Sequence, residues 1–338
     1  MVLNVGTVTK GYRRSREISD EDVLRELPTL SQTVEDKDHK SRVTMTKEPK
    51  FDDKFVAFVD ILGFESKVES AEQLGEIGLS DILEICRKLE NQAHVRAIAT
   101  YGPMICPESR YIDRNLNYQA TQISDCAVVS SEVSPAGIIN LLQHIAQAIL
   151  GLLRFGVMVR GYVTRGSIFH EDKQFIGVGY QNAFAREKLV SAFRMSENDG
   201  ATPFVEIDPN VESYIRDETD ECVQMLFARM TKRDAESRVT VLFPFQHITS
   251  VAGGNIAAPQ RCRRDLNVVR QWIGIFREKI QNYSPRSNQD ANRKSKYYIN
   301  ILNELLEECD RIENALELLG RPAVRLMLDQ DFNVVPTD

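Results

Sequence analysis

The stretch FVAFVDILGF, Phe55 to Phe64, decides how this chain folds. Apolar, strand-forming residues run from Phe55 to Val59 and stop at a bare carboxylate, Asp60, followed by Ile-Leu-Gly. A carboxylate at the end of a buried strand is costly unless something pairs with it. Asp60 therefore either caps the helix that follows or holds a cation.

Working outward, YQATQISDCAVVSSE (118–132) reads as two strand pieces around Ser124 and Asp125, and 156–169 as a long strand. HEDKQFIGVG reads as turn and loop, and TPFVEIDP as a further strand. Helices are predicted over 69–90, over 135–154 with Ser134 as N-cap and Pro135 at the first position, and over YQNAFAREKLVSAF. The order β-α-ββ-α-β-α-β predicts an α+β, ferredoxin-like domain, a mostly antiparallel sheet with helices on one face. This domain spans 51–210. Residues 1–50 read as a polar, partly disordered tail in which DEDVLRELPTL could form a short helix. Residues 211–338 read as a helical extension, two amphipathic helices around the polar loop SPRSNQDANRKSK, packing on the sheet domain or on a partner chain.

Composition narrows the class. The chain has 338 residues, 42% hydrophobic and 27% charged, with net charge -7, which describes an ordinary soluble protein. The basic clusters RCRR (261–264) and NRKSK (292–296) are short and read as solvated faces, so no nucleic-acid partner is expected. The six cysteines form no CxxC pair and sit near no histidine at metal-ligand spacing, which argues against zinc and against a disulfide framework. Reduced thiols and the lack of an apolar leader point to the cytoplasm. The helix at 135–154 carries Gln143, His144 and Gln147 and reads as buried core, with His144 a core histidine, not as a membrane span.

Asp125 repeats the theme of Asp60. Alone it reads as a turn residue. If the two strands are neighbours, both carboxylates lie at one end of the sheet. Two like charges ~4 Å apart repel by about 4 kcal/mol at an effective dielectric near 20. A divalent cation with oxygen ligands, magnesium or manganese, removes that cost. Beyond Asp60, residues Ile61, Leu62, Gly63 and Phe64 lead to a helix N-terminus, where free amides favour phosphate and Gly63 permits close approach. The pattern describes a metal–nucleotide site.

These motifs resemble the class III nucleotide cyclases. FVAFVDILGF resembles their opening metal strand, and QISDCAVV their second metal hairpin with Ser124 in the usual glycine's place. VRGYVTRG (159–166) resembles their Arg-x-Gly strand, and IGVGYQNAFAREK (176–188) the loop and helix after it. The DILGF form and the helical extension look most like the pyrimidine nucleotide cyclases of Pycsar anti-phage defence. The resemblance implies that Asp60, the Ile61 carbonyl and Asp125 hold two manganese or magnesium ions. It implies in-line attack of the 3′-oxygen of UTP on the α-phosphorus, giving cyclic UMP and pyrophosphate. It also implies a homodimer with composite sites and a separate effector answering the product; no membrane partner is implied for the enzyme itself. Thr121 stands where purine cyclases carry a base-reading Lys or Glu, and Phe58 lies on Asp60's strand face, where its ring would narrow a base pocket. Asn182 and Arg186 have the spacing of the family's transition-state pair. Aligning Gly177 with the loop glycine puts Gln181 and Ala185 there instead, and leaves Arg160 or Arg165 to supply the charge. The alternatives are a cytidylate cyclase, a purine cyclase and a non-catalytic nucleotide-binding dimerisation module.

Overall fold

The structure is a computed structural model that describes residues 48–73, 78–105, 109, 113, 115–171, 173–196, 199–245, 258–283, 289–319, 327–328 and 334–335. The expectations for the tail, including DEDVLRELPTL, lie outside the described residues.

Strand β1 (Asp52–Ile61) is the centre of the architecture. Residues 54–59 are buried without a break, so both of its faces are covered. Phe55, Ala57, Val59 and Ile61 join Ala127 and Val129 of β3 (Cys126–Glu132) against helix α4 (Pro135–Leu153) in the main core. Val56 and Phe58 point the other way, joining Val128, Ile168 and Ala183 of helix α5 (Val178–Glu187). Helices therefore cover both faces of the sheet, not one. The physical reason was in the stretch itself: a strand with one wet face alternates, whereas a continuous apolar run needs two covers.

Between β1 and β2 (Gln119–Ile123) come α1 (Phe64–Gln73), α2 (Leu79–Glu90) and α3 (Gln92–Tyr101). After α4 follow β4 (Val159–Glu171), β5 (Gln174–Ile176) and α5. Then come β6 (Val205–Ile207), α6 (Pro209–Arg216), α7 (Glu221–Met230), β7 (Thr231–Arg233) and β8 (Thr240–Leu242). The sheet runs β2-β3-β1-β4-β6-β8-β7, with β5 paired to β4. Among the described residues of this sheet, β4 and β6 pair in parallel and the other strand pairs are antiparallel. The molecule is thus a mixed α+β protein on an eight-stranded, mostly antiparallel sheet.

Three local readings are corrected. HEDKQFIGVG is a hairpin, with β4 running to Glu171 and Lys173 at φ 68 in its turn. The region after 211 is not purely helical, because β7 and β8 extend the sheet beyond β6. Strands of three residues, one of them Thr-Lys-Arg, are too short to show a period. Cys222 is disulfide-bonded, against the expectation of reduced thiols throughout. Cys86, Cys126, Cys262 and Cys309 are free, and Cys106 lies outside the described residues.

Helix α4 is long and apolar enough to cross a membrane, but 78% of its apolar window is buried inside the protein, as a core helix requires. Its start follows the sequence reading: the Ser134 hydroxyl accepts from the Gly137 N–H at 3.0 Å, with Pro135 at the first position. His144 is buried at 1% exposure, edge-on to His94. The last long helices are α8 (Pro259–Tyr283) and α9 (Gln289–Leu319). Leu266, Ile273 and Phe276 of α8 and Tyr298, Leu302 and Cys309 of α9 belong to the same core as the sheet. Phe204 stacks on Tyr298 at 5.8 Å, which fastens α9 beside β6. Arg270 of α8 bridges Asp310 at 2.9 Å and Glu313 at 2.5 Å on α9.

Candidate active site

Asp60 pairs in register with Cys126 of β3 on one side and Arg160 of β4 on the other. Cross-strand partners share a face, so Asp60 and Arg160 stand side by side. Asp125 occupies the two-residue turn between β2 and β3, where Ser124 takes φ 53. The Ile61 N–H donates to the Asp125 carbonyl at 2.9 Å. One hydrogen bond thus ties the turn carrying the second aspartate to the residue after the first. The sequence expectation that both carboxylates lie at one end of the sheet matches this geometry.

The anion-binding half of the reading narrows. The Leu62 N–H donates to the Met158 carbonyl at 3.0 Å. With Ile61 committed to Asp125, both amides are used inside the fold and are not offered to a phosphate. Gly63, at φ 72, turns the chain into α1, which begins at Phe64.

The electrostatics of the corner are one-sided. Burial pushes the Asp60 carboxyl up to about 7, and the negative charges of Glu187 and Asp125 push the same way. Arg160 and Lys188 oppose them without cancelling the effect. Burial, with Asp125 and Asp60 adding, also pushes the neighbouring Cys126 thiol up to about 11. Glu187 is 2% exposed and forms an ion pair with Arg160. Sequence reasoning missed Glu187. The available signal was its place four residues after Ala183, on the buried stripe of α5.

The predicted base-pocket residues lie deeper on the same face. Phe58 is 4% exposed and meets Phe184 edge-on at 5.1 Å and Tyr180 at 6.2 Å, so α5 covers it. Thr121 is buried, its hydroxyl 3.0 Å from His170 Nε2, while His170 Nδ1 lies 2.9 Å from the Ser130 hydroxyl. Burial, with Lys54 adding, lowers His170 to about 4, so the ring is neutral at pH 7. A neutral imidazole offers one donor and one acceptor, which two hydroxyls satisfy. Within one chain Phe58 and Thr121 are thus committed to packing and hydrogen bonding. Asn182 and Arg186 sit one turn apart on the exposed side of α5. Arg186 is close enough to the Tyr162 hydroxyl to oppose its upward shift, which burial dominates, and that hydroxyl donates to Asp208 at 3.0 Å.

Two carboxylates at one strand end are the ligand type that a hard divalent cation takes. Among the described residues no group of three His, Cys, Asp or Glu side chains could hold a metal unaided. The remaining ligands would have to be phosphate oxygens or water, the usual arrangement for magnesium at nucleotide sites. The residues present fit such an ion.

No known family profile matches the chain, and no curated protein matches it. Among solved structures it is similar to a class III adenylyl cyclase-like ATP-binding protein from Pseudomonas aeruginosa, with 13% identity and a TM-score of 0.32. That alignment covers 58% of this chain and 39% of the other, so it spans well under half the length of that protein. No residue assignment rests on it.

Proposed function

We propose that the chain is a nucleotide cyclase that converts UTP to 3′,5′-cyclic UMP and pyrophosphate, with Asp60 and Asp125 as its metal carboxylates. The observation that carries this reading is the hydrogen bond from the Ile61 N–H to the Asp125 carbonyl, which holds the two aspartate-bearing segments together in a corner that also contains the Glu187 carboxylate. Burial first, and then the neighbouring Glu187 and Asp125 charges, hold the Asp60 carboxyl up to about 7, and a bound cation would favour its ionised form.

Manganese or magnesium bound there would neutralise the triphosphate and acidify the 3′-hydroxyl. The chain's own residues do the rest. Asp60 must lose its proton to act as a ligand. The Asp125 main chain is held by Ile61, which fixes the distance between the two carboxylate-bearing segments. Glu187 holds Arg160 beside Asp60, where a guanidinium can meet an incoming phosphate. Asn182 and Arg186 on the outer side of α5 would serve a partner subunit's nucleotide. The exposed apolar side chains Ile123, Ile176, Val178 and Phe184 support a homodimer with composite sites, since they surround the same strands and helix. The preference for UTP over CTP or purines rests on the sequence resemblance alone, as do the anti-phage role and the downstream effector. The cytoplasmic placement also rests on sequence, and the Cys222 disulfide stands against it.

The test is direct. Purified protein is incubated with manganese and ATP, GTP, CTP or UTP separately, and the products are weighed by mass spectrometry. Cyclic UMP is expected, and Asp125→Ala should lose it. A cyclic purine would overturn the substrate assignment, and no cyclic product from any of the four would overturn the reaction.

A further inference from the structure

A second site lies away from the Asp60 corner, where β7 and β8 meet α9. It begins with a backbone anomaly. Phe193 takes φ 57, a left-handed conformation rare for a bulky residue. Its N–H donates to Asp234 Oδ2 at 2.9 Å. Asp234 is itself 7% exposed and accepts from the Ser237 hydroxyl at 2.5 Å and from the Glu236 N–H at 3.2 Å. A strained residue persists where its surroundings over-determine it, and such residues cluster at functional sites.

The ring so placed walls a cavity of ≈ 160 Å³, together with Phe204, Phe243, Tyr297 and Met195. The walls pack on one another. Phe193 meets Phe204 edge-on at 5.3 Å, Phe204 meets Tyr297 at 6.0 Å, and the Tyr297 hydroxyl is tied to Asp199 at 2.5 Å. The volume is that of one ring: an apolar cavity of about 150 Å³ accepts benzene. The cavity also holds a charge. Lys232 Nζ sits 4.9 Å from the Phe243 ring and 5.5 Å from Phe193. Its carboxylate neighbour, Glu304, is 3.7 Å away, beyond a hydrogen bond, and both groups are open to solvent. Such a pair contributes little and is easily exchanged for a better anion.

We propose that this cavity binds a small planar aromatic anion, its ring held among the Phe193, Phe204, Phe243 and Tyr297 side chains that line it and its carboxylate on Lys232. The aromatic walls select a flat ring. Lys232 already supplies the cation over these rings, and a bound carboxylate would take the place of the solvent-exposed Glu304 as its partner. The site is independent of the cyclase reading, because none of its residues belongs to the Asp60 corner.

The experiment titrates benzoate into the full chain and follows binding by ligand-observed NMR. Cyclohexanecarboxylate and benzylamine serve as comparison probes. Saturable benzoate binding is expected, at least tenfold stronger than either comparison probe. Lys232→Gln should weaken it at least tenfold. Phe193→Gly relieves the left-handed backbone but removes a ring packed on Phe204, so its melting temperature should fall by a few degrees while the protein stays folded and benzoate binding is lost. The proposal is overturned if wild-type protein shows no saturable benzoate binding. It is equally overturned if benzylamine binds as well, or if both variants, folded by their melting curves, bind benzoate like the wild type.

Discussion

Replacing Asp60 by asparagine keeps the shape and removes the charge, and the corner predicts an unusual result. The folded carboxyl titrates at about 7 against an ordinary 3.8. Its folded value is raised, so between those limits the folded protein keeps a proton that the unfolded chain has lost. Stability therefore falls as pH rises from about 4 to about 7, and the full penalty is present above 7. A shift of about 3 units corresponds to about 4 kcal/mol at full value. Asp60 is only partly buried, so solvent screening reduces this to about 2 kcal/mol. Asp60→Asn should thus leave the melting temperature nearly unchanged near pH 4 and raise it by about 3 °C at pH 8. Manganese at pH 8 should stabilise the wild type and not the variant, because only the wild type offers the charged ligand. Thermal melts of both proteins at the two pH values, with and without manganese, provide the assay. Equal loss of stability by the variant at pH 4 and pH 8 would falsify the reasoning, because the carboxylate would then be a favourable helix cap.

Three further results are expected. Glu187→Gln leaves Arg160 without its partner and should cost about 3 kcal/mol in urea unfolding, more than the double change Arg160→Met with Glu187→Leu; equal losses would show that the ion pair is not what holds that corner. Gly161→Ala brings a Cβ within 2.5 Å of the Phe58 carbonyl, so β1 and β4 must part, and a loss of about 2 kcal/mol should follow. An unshifted urea midpoint would show that the strands are not that close. Alkylation of the unfolded, unreduced protein followed by peptide mass mapping should label Cys86, Cys126, Cys262 and Cys309 and leave Cys222 unlabelled until reduction. Labelling of Cys222 before reduction would remove its disulfide.

The sequence by itself determined the elements that local rules govern. The Ser134-Pro135 start of α4 follows from capping chemistry, which acts within one turn. The strand ending at Asp60 follows from an apolar run, and the meeting of Asp60 with Asp125 from the adjacency of neighbouring strands. What only the tertiary structure decided involves residues distant in sequence. Whether the Ile61 and Leu62 amides were free depended on Asp125 and Met158, and both proved to be taken. That Glu187 is buried against Arg160 was settled only when α5 was laid across β4. Phe193 carries no local signal for a left-handed backbone, because the carboxylate that holds it there, Asp234, comes from a loop far along the chain. Periodicity and capping report on neighbours within a turn or a strand, whereas burial of charge and paired amides depend on which surfaces the fold brings together.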